Sequence, residues 1–230
     1  MTDVSKFTLP DSPAEAVLMQ QELRGRVTLE SVFDDISDIK TIAGVDVSHD
    51  KSDISHAAIV LLVMPSFVVL ESLRVSAPTE FPYVPGLLSF REIPVILEAL
   101  SRLKITPDLL MVDGQGIAHP RRLGIAAHLG VVTDLPAVGV AKSRLTGKYD
   151  SPGLDKGSYS PLTSGTERIG TVLRSKVKCL PLFISPGHKI DQEQALAITL
   201  KCLTRYRLPE PTRLADKLSK QKEPSLLKAG

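Results

Sequence analysis

The chain has 230 residues and a formal net charge of +2, with 43% hydrophobic and 23% charged residues, which is typical of a globular protein with a buried core. No stretch approaches the ~20 apolar residues that cross a bilayer, the N-terminus lacks the apolar segment of a secretion signal, and two cysteines, Cys179 and Cys202, are too few for a disulfide framework. We therefore expect a cytoplasmic, monomeric protein with one domain over 1–230, of which about 217–230 form a flexible tail.

The first half of the chain predicts a helix and then an antiparallel group of strands. The helix, over 12–27, has Ser12 as its N-cap and Pro13 in its first turn. Of the three strands that follow, the last two are separated by so few residues that they predict a hairpin. The predicted strands are 41–48, 56–63 and 67–76.

The second half alternates strands and helices, which indicates a parallel continuation of the sheet and therefore a mixed α/β sheet. A Pro-rich loop, 77–86, precedes this part, and we expect Pro94 within the first turn of the next helix. The residues 147–166 have the composition of a loop. The predicted helices are 89–103, about 120–130 and 191–203, and the predicted strands are 108–112, 136–141, 168–176 and 181–185.

Two aspartates occur in strongly apolar runs, Asp46 within 42–47 and Asp113 at the end of 109–113. An ionised carboxylate in a buried strand is costly unless a cation or hydrogen bonds compensate it. On neighbouring strands, about 4.8 Å apart, two such charges would repel by roughly 3–4 kcal/mol at an effective dielectric near 20. Each aspartate alone also fits a structural role, Asp46 as a strand-end acceptor and Asp113 as a turn former. Together they indicate a divalent metal site and an enzyme.

Glu92, at the start of the predicted second helix, adds a third acid. A set of carboxylates without a Cys/His cluster favours Mg²⁺, with Mn²⁺ as a substitute, over Zn²⁺. Taken singly, Glu92 is also explained as an acid that favours a helix N-terminus. His119 and Lys142 are expected at the same sheet edge, where an imidazole can orient water and an ammonium can neutralise a phosphate oxygen.

Charge is unevenly distributed along the chain. Residues 1–60 hold eleven Asp/Glu against five Lys/Arg, a balance of −6, so the other residues carry +8. The segment 114–149 has five Lys/Arg and one acid, Asp134. A basic zone beside an acidic group fits a polyanion that is held by cations and cleaved at a metal, although a solvated positive face explains the charge equally well.

Five segments together resemble the endonuclease V family: 43–48 (AGVDVS), 83–92 (YVPGLLSFRE), 112–124 (VDGQGIAHPRRLG), 139–143 (GVAKS) and 207–213 (RLPEPTR). They occur in order over roughly 12–218. The resemblance implies a ribonuclease H-like α/β fold, with a mixed central sheet whose first three strands are antiparallel and whose next strands are parallel, flanked by helices. Gln115 departs from the family, which often has His or Asn there.

The resemblance also implies an activity: Mg²⁺-dependent repair of DNA that contains hypoxanthine (deoxyinosine), by hydrolysis of the second phosphodiester bond 3′ to the lesion, leaving 3′-hydroxyl and 5′-phosphate ends. By matching position, Asp46, Glu92 and Asp113 would be metal-binding catalytic acids. His119 and Lys142 would support them, and Asp216 would lie near the metal. The loop with Tyr83 would separate the strands when the base is turned out of the stack. Residues expected to contact DNA or the lesion are Pro82, Tyr83, Val84, Pro85, Gly86, Leu88, Arg91, Gly114 and Arg121.

Three alternatives remain at this stage. The first keeps the fold and makes the protein an endoribonuclease for inosine in single-stranded RNA. The second is a non-catalytic inosine-binding protein, which would have no need for three buried acids. The third is a nuclease of the transposase or resolvase kind, which would not require the 83–86 loop.

Overall fold

The computed structural model describes residues 7–221, in which one eight-stranded sheet carries helices on both faces. The helices are α1 (Pro13–Arg24), α2 (Leu88–Ser101), α3 (Ile125–Thr133), α4 (Gln192–Lys201) and α5 (Glu210–Ser219), with a short 3-10 helix at Ile36–Asp38. The strands are β1 (Thr41–His49), β2 (Ile54–Val63), β3 (Val68–Pro78), β4 (Leu109–Val112), β5 (Ala137–Ala141), β6 (Tyr159–Ser164), β7 (Glu167–Leu173) and β8 (Leu182–His188).

The strand order across the sheet is β3-β2-β1-β4-β5-β8-β7-β6. The first three strands in the chain pair antiparallel, and β1, β4 and β5 run parallel. The predicted mixed α/β sheet, antiparallel first and then parallel, is confirmed. The last three strands extend it by antiparallel pairing beside β5. Because β1, β4 and β5 are parallel, the residues that follow them meet at one edge of the sheet, which we call the site edge.

Each face of the sheet has its own apolar core. On one face, α2 and α3 contribute buried residues such as Ile96 and Leu129. On the other face, α4 contributes residues such as Ile198. The last helix, α5, packs on β1 and β2 through Ala215, and it approaches β1 closely at Gly44. A Cβ at Gly44 would lie 2.0 Å from the carbonyl oxygen of Pro211, so only glycine allows this approach.

Three predicted elements differ from the structure. The loop predicted over 147–166 contains the edge strand β6, whose Pro161 is tolerated because an edge strand need not donate every ladder hydrogen bond. The helix predicted near 120–130 begins only at Ile125, after the turn that follows His119. Pro94 lies in the second turn of α2 rather than in the first, because the helix already begins at Leu88.

The C-terminal region also differs from the prediction. Sequence patterns predict no helix at α5, yet Lys217 and Ser219 belong to that helix rather than to a flexible tail. The rest of the predicted tail, 222–230, lies outside the described residues. Within residues 7–221, no helix is both long enough and apolar enough to cross a membrane.

Candidate active site

Three aspartates meet at the site edge. Asp46 is in β1, Asp113 follows β4, and Asp216 is in α5; one carboxylate oxygen of each lies within 4.8 Å of the others. The parallel pairing of Val45 with Val112 brings the first two together, and the backbone N–H of Asp113 donates to the Val45 carbonyl at 2.9 Å. We call these three residues the acidic centre.

Burial dominates the electrostatics of Asp46. Burial and, to a smaller extent, the charge of Asp113 raise the pKa of this carboxyl to about 7, although a hydrogen bond from Ser219 opposes the change. The Ser219 hydroxyl donates to Asp46 Oδ2 at 2.5 Å. An acid with so high a pKa is one whose negative charge is under-compensated, and a nearby cation would restore its ionised form.

Lys142 provides the cation that the protein itself places in the acidic centre. Its Nζ lies 2.5 Å from Asp113 Oδ2 and 2.5 Å from Asp216 Oδ1. Burial alone would lower the pKa of Lys142, but the charge of Asp113 and hydrogen bonds to both aspartates outweigh it and raise the pKa. Burial alone would raise the pKa of Asp216, but hydrogen bonds from Lys142 and Lys220 hold it below its ordinary value. The ammonium therefore stays charged at neutral pH.

Glu92 lies beside the acidic centre but is not one of its three members. Its buried carboxylate faces His49, with Oε1 3.2 Å from His49 Nε2. Burial raises the pKa of Glu92, the contact with His49 opposes this, and the charge of Asp113 raises it again. The influence of Asp113 shows that Glu92 borders the group. The tight cluster thus contains Asp216, which the sequence predicted only near the metal, while Glu92 is held to one side.

The donor set fits a hard divalent cation. All the candidate ligand atoms are carboxylate oxygens, which suit Mg²⁺ or Mn²⁺ rather than Zn²⁺. One of them, Asp113 Oδ2, is buried 2.5 Å from the Lys142 ammonium, with the carboxylates of Asp46 and Asp216 beside it. One ammonium compensates only part of the charge of three carboxylates, and a metal ion would complete the compensation.

A cavity of about 360 Å³ opens directly beside the acidic centre. Asp113, His119 and Lys142 belong to its wall, so the cavity and the acidic centre share Asp113. The other predicted residues in the wall are Tyr83, Val84, Pro85, Gly86, Leu88 and Gly114. Tyr83 has 70% of its surface exposed at the rim, which leaves its ring free to contact a ligand.

Backbone and side-chain contacts fix the turn at Gly86. Its φ of +81° favours glycine, and a Cβ there would come within 2.9 Å of Arg121 Nη2. Its carbonyl accepts from His119 Nε2 at 3.0 Å and from Arg121 Nη2 at 2.8 Å. His119 Nδ1 accepts from the Arg121 backbone N–H at 3.1 Å, so both ring nitrogens are occupied. Burial, together with the charge of Arg121, lowers the pKa of His119 to about 4.

Three predicted contact residues lie outside the cavity wall. Pro82 is exposed and is absent from the wall. Arg91 donates to the Phe81 carbonyl and pairs with Asp53, each at 3.1 Å, which is a structural ion pair rather than a free phosphate contact. Arg121 supports the Gly86 turn from behind.

Sequence reasoning did not find several residues that shape the site. Gln20 of α1 is buried, donates to the Gly86 carbonyl at 3.0 Å and also contacts Arg121. Gln115 lines the cavity and donates to the Ser143 carbonyl at 2.8 Å, while its buried Oε1 accepts no hydrogen bond from residues 7–221. Ser219 lies far along the chain from Asp46. No local pattern marks these residues, since their roles depend on tertiary contacts.

Comparison with known proteins gives a consistent result. The family profile described as Endonuclease V matches residues 21–217. An Endonuclease V from Rippkaea orientalis is 50% identical over 217 residues, covering 94% of this chain and 93% of the relative. The crystal structure of Endonuclease V from Streptomyces avermitilis has a TM-score of 0.85 and 43% identity, with 92% of each chain covered.

A fourth comparison includes a ligand. Endonuclease V from Ciona intestinalis, solved in complex with a 24mer DNA containing an inosine followed by a ribo-adenosine, has a TM-score of 0.78 and 29% identity, covering 90% of this chain and 95% of that one. Motifs, fold and full-length matches therefore agree: the chain belongs to the endonuclease V family.

Proposed function

We propose that this protein is a DNA repair endonuclease that recognises deaminated adenine, the base hypoxanthine of deoxyinosine, and hydrolyses a phosphodiester bond beside it. One observation carries this proposal: the acidic centre and the cavity share Asp113, and Lys142 of the cavity wall pairs with that aspartate. A base held in the cavity would bring its own strand over the carboxylates. The complex of the Ciona intestinalis relative with inosine-containing DNA supports the same substrate.

The cofactor that fits the site is Mg²⁺, with Mn²⁺ as a substitute. Asp46 and Asp113 would hold it, with Glu92 and Asp216 beside them. When bound, such a cation polarises phosphoryl oxygens and makes water a better nucleophile. Such a cation would also compensate the repulsion among the three aspartates, which together with burial raises the pKa of Asp46 to about 7.

The other site residues have roles that follow from their contacts. The Lys142 ammonium, held by two carboxylates, is placed to neutralise charge on a phosphate oxygen or on the leaving group. Ser219 orients Asp46 through its hydrogen bond. His119 has both nitrogens occupied, so it acts by fixing the Gly86 turn rather than by taking a proton from water.

The cavity suits a base that has been turned out of the stack. Its volume, about 360 Å³, lies within the range for small-ligand sites. Gly86 and Gly114 contribute only backbone atoms to the wall, and a Cβ at either would meet a side chain of the protein, Arg121 Nη2 at 2.9 Å or Ile125 Cγ2 at 2.4 Å. Tyr83, exposed at the rim, is in position to fill the gap that a flipped nucleotide leaves. The wall therefore offers backbone groups for recognition and one aromatic ring for strand separation.

The position of the cut is part of the proposal. We expect hydrolysis of the second phosphodiester bond 3′ to the lesion, with 3′-hydroxyl and 5′-phosphate products. Of the three aspartates of the acidic centre, only Asp113 lines the cavity, which is consistent with a cut outside the flipped nucleotide.

A metal-dependent nicking assay tests the function. The substrate is a 5′-labelled duplex with a single deoxyinosine, and the matched control is the same duplex with adenine. We expect nicking of the first duplex only, with Mg²⁺ and not with EDTA, at the second bond 3′ to the lesion. Equal nicking of both duplexes would contradict the proposal.

A second candidate is an endoribonuclease for inosine in single-stranded RNA. One observation favours keeping it: the DNA bound by the Ciona intestinalis relative has a ribo-adenosine after the inosine. The acidic centre and the cavity would serve both substrates. Cleavage rates on matched inosine-containing DNA and RNA strands decide between them, and faster RNA cleavage would overturn the DNA assignment.

We also propose that the enzyme acts as a monomer in the cytoplasm. Both cysteines, Cys179 and Cys202, are free thiols, which is consistent with a reducing compartment. Sedimentation of the purified protein tests the first part, and fractionation of the source cells tests the second.

A further inference from the structure

The loops beyond β5 at the site edge form a strongly basic surface. We call it the basic rim and define it as segments 142–158, 174–181 and 202–209. These segments contain nine Lys/Arg and two Asp, a formal charge of +7. The whole chain carries +2, so the remaining residues carry −5. Positive charge is therefore concentrated in the rim while the rest of the protein is acidic.

The three segments form one continuous surface that starts at the cavity. Arg207, in the third segment, contacts the other two: it donates to the carbonyl of Lys142 at 2.8 Å in the first and to those of Leu180 at 2.9 Å and Pro181 at 3.1 Å in the second. Lys156, further along the first segment, donates to the Thr204 carbonyl at 2.7 Å and connects that loop to the third segment. Lys142 and Arg144 also line the cavity. A strand that leaves the cavity can therefore continue over the rim.

The charge of the rim is not neutralised within the described part of the chain. Apart from Lys142, no rim cation forms a salt bridge there. Four of them instead donate hydrogen bonds to backbone carbonyls, namely Arg144, Lys156, Arg174 and Arg207. Elsewhere the pattern differs: several surface cations pair with acids, namely Arg102 with Glu98, Arg168 with Glu193 and Lys189 with Asp134. Unpaired cations in a group favour binding of a polyanion.

The rim also exposes apolar side chains between its cations. It contains five of the fifteen exposed large hydrophobic residues found across 7–221, and a sixth adjoins it at the start of β6. Leu154 and Leu180 have 78% and 75% of their surface exposed. The others are Leu145, Tyr159 at the junction with β6, Val177 and Tyr206. Cations that alternate with exposed aromatic and apolar groups suit a nucleic-acid strand whose bases are unstacked, since a duplex would present mainly phosphates.

We propose that the basic rim binds a single-stranded stretch of nucleic acid that flanks the reacting nucleotide. Lysines and arginines contact its phosphates, and the exposed apolar and aromatic side chains contact its bases. The inference rests on the proposed function for the point where the strand meets the cavity. Binding to the rim itself requires no cleavage.

The ionic part is tested by a pair of charge reversals. Lys176 and Lys178 are exposed in the rim, whereas Lys40 and Lys104 are exposed at the opposite edge of the sheet, so K176E/K178E and K40E/K104E change the net charge equally. The probe is a labelled single strand of about 30 nucleotides without inosine, titrated by fluorescence anisotropy between ~50 and 200 mM salt.

We expect K176E/K178E to weaken binding on the order of tenfold and to reduce the log–log salt slope by about 1, because each single-strand phosphate contact contributes roughly 0.7. The affinity and the salt slope of K40E/K104E should stay close to those of the unmodified protein. Equal losses in both variants, or no loss in either, would overturn the proposal.

The apolar part is tested without a change in charge. L154S/L180S removes two exposed side chains, and we expect a loss of about fivefold or more for the single strand, with an unchanged salt slope and a much smaller loss for a duplex of the same length. Unchanged single-strand affinity, or equal losses for both forms, would overturn the single-strand assignment.

Failure of this inference is distinguishable from failure of the proposed function. The control is a short deoxyinosine substrate that covers only the cavity and the acidic centre, used at saturating concentration. We expect K176E/K178E to nick this substrate at the same rate as the unmodified protein. If the unmodified protein nicks no inosine substrate but the rim variants lose single-strand binding, only the proposed function fails. If nicking is as proposed but the affinities of the variants do not differ, only the rim fails.

Discussion

The acidic centre and the cavity beside it are built in opposite ways. The acidic centre consists of charged side chains from β1, the end of β4 and α5, and its energetics depend on burial and on the Lys142 ammonium. The cavity is shaped mainly by backbone turns, which Gln20, His119 and Arg121 hold through the Gly86 carbonyl. Chemistry and recognition therefore depend on different interactions, although the two regions share Asp113, and Lys142 of the cavity wall contacts two of the aspartates. Changes in one region should alter the cleavage rate, and changes in the other should alter the choice of base.

The largest expected effect is the loss of an acid. Asp113→Asn keeps the shape of the side chain but removes the charge that a metal requires, so nicking of the deoxyinosine duplex should fall about a thousandfold or more, corresponding to several kcal/mol of lost stabilisation. Binding of uncleaved inosine-containing DNA should persist. Nicking within tenfold of the unmodified protein would break the separation between the two regions, because cleavage would then not depend on the acidic centre.

The next effect concerns the cation inside the acidic centre. Lys142→Met keeps most of the aliphatic stem but removes the ammonium that lies 2.5 Å from both Asp113 and Asp216. We expect single-turnover nicking to fall by roughly a hundred- to a thousandfold. Lys142→Arg keeps the charge and should recover part of the rate. If the methionine and arginine variants were equally slow, charge would not be the property that matters.

A smaller effect is expected in the recognition region. Tyr83→Ala removes an exposed ring at the cavity rim, which should reduce the preference for inosine over adenine duplexes by about tenfold, the value of one lost base-stacking contact. Metal affinity should not change. Tyr83→Phe retains the ring and is the control. An unaltered preference in the alanine variant would remove the proposed role in strand separation.

The last effect is on stability rather than on rate. The folded pKa of His119 is about 4, below the unfolded value near 6.5. Between these values the unfolded chain binds a proton that the folded chain does not, so stability is lost as pH falls from about 6.5 to 4, by at most about 3 kcal/mol. His119→Asn should therefore show a weaker pH dependence of the urea midpoint than the unmodified protein. His56→Asn, in β2, is the control, and the proposal fails if the two variants behave alike.

Some features of the fold could be predicted because their signals are local. Short patterns predict the apolar strands β1 and β4, each of which has an acid at or near its end. They also predict the hairpin of β2 and β3. The loop with Gly86 follows from its prolines and glycine. The order of β1, β4 and β5 then determines that Asp46 and Asp113 are neighbours, so this part of the acidic centre was accessible to sequence reasoning.

The remaining features depend on tertiary contacts. The helix α5 has few buried residues, and its position requires the absence of a side chain at Gly44, which no local pattern reveals. Because α5 was not predicted, the convergence of Asp216 and Ser219 on Asp46 was not predicted either. The partner of Glu92, His49, is likewise set by the packing of α2 against β1. Strand β6 was missed because an edge strand with a proline resembles a loop.

The most direct test of the central claim is the binding of Mn²⁺, followed by electron paramagnetic resonance of the free ion. If the three aspartates form the metal site, the unmodified protein depletes the free-ion signal, and D46N/D113N leaves it at the level of buffer while remaining folded. Undiminished Mn²⁺ binding by the folded double variant would contradict the claim that this acidic centre holds the catalytic metal.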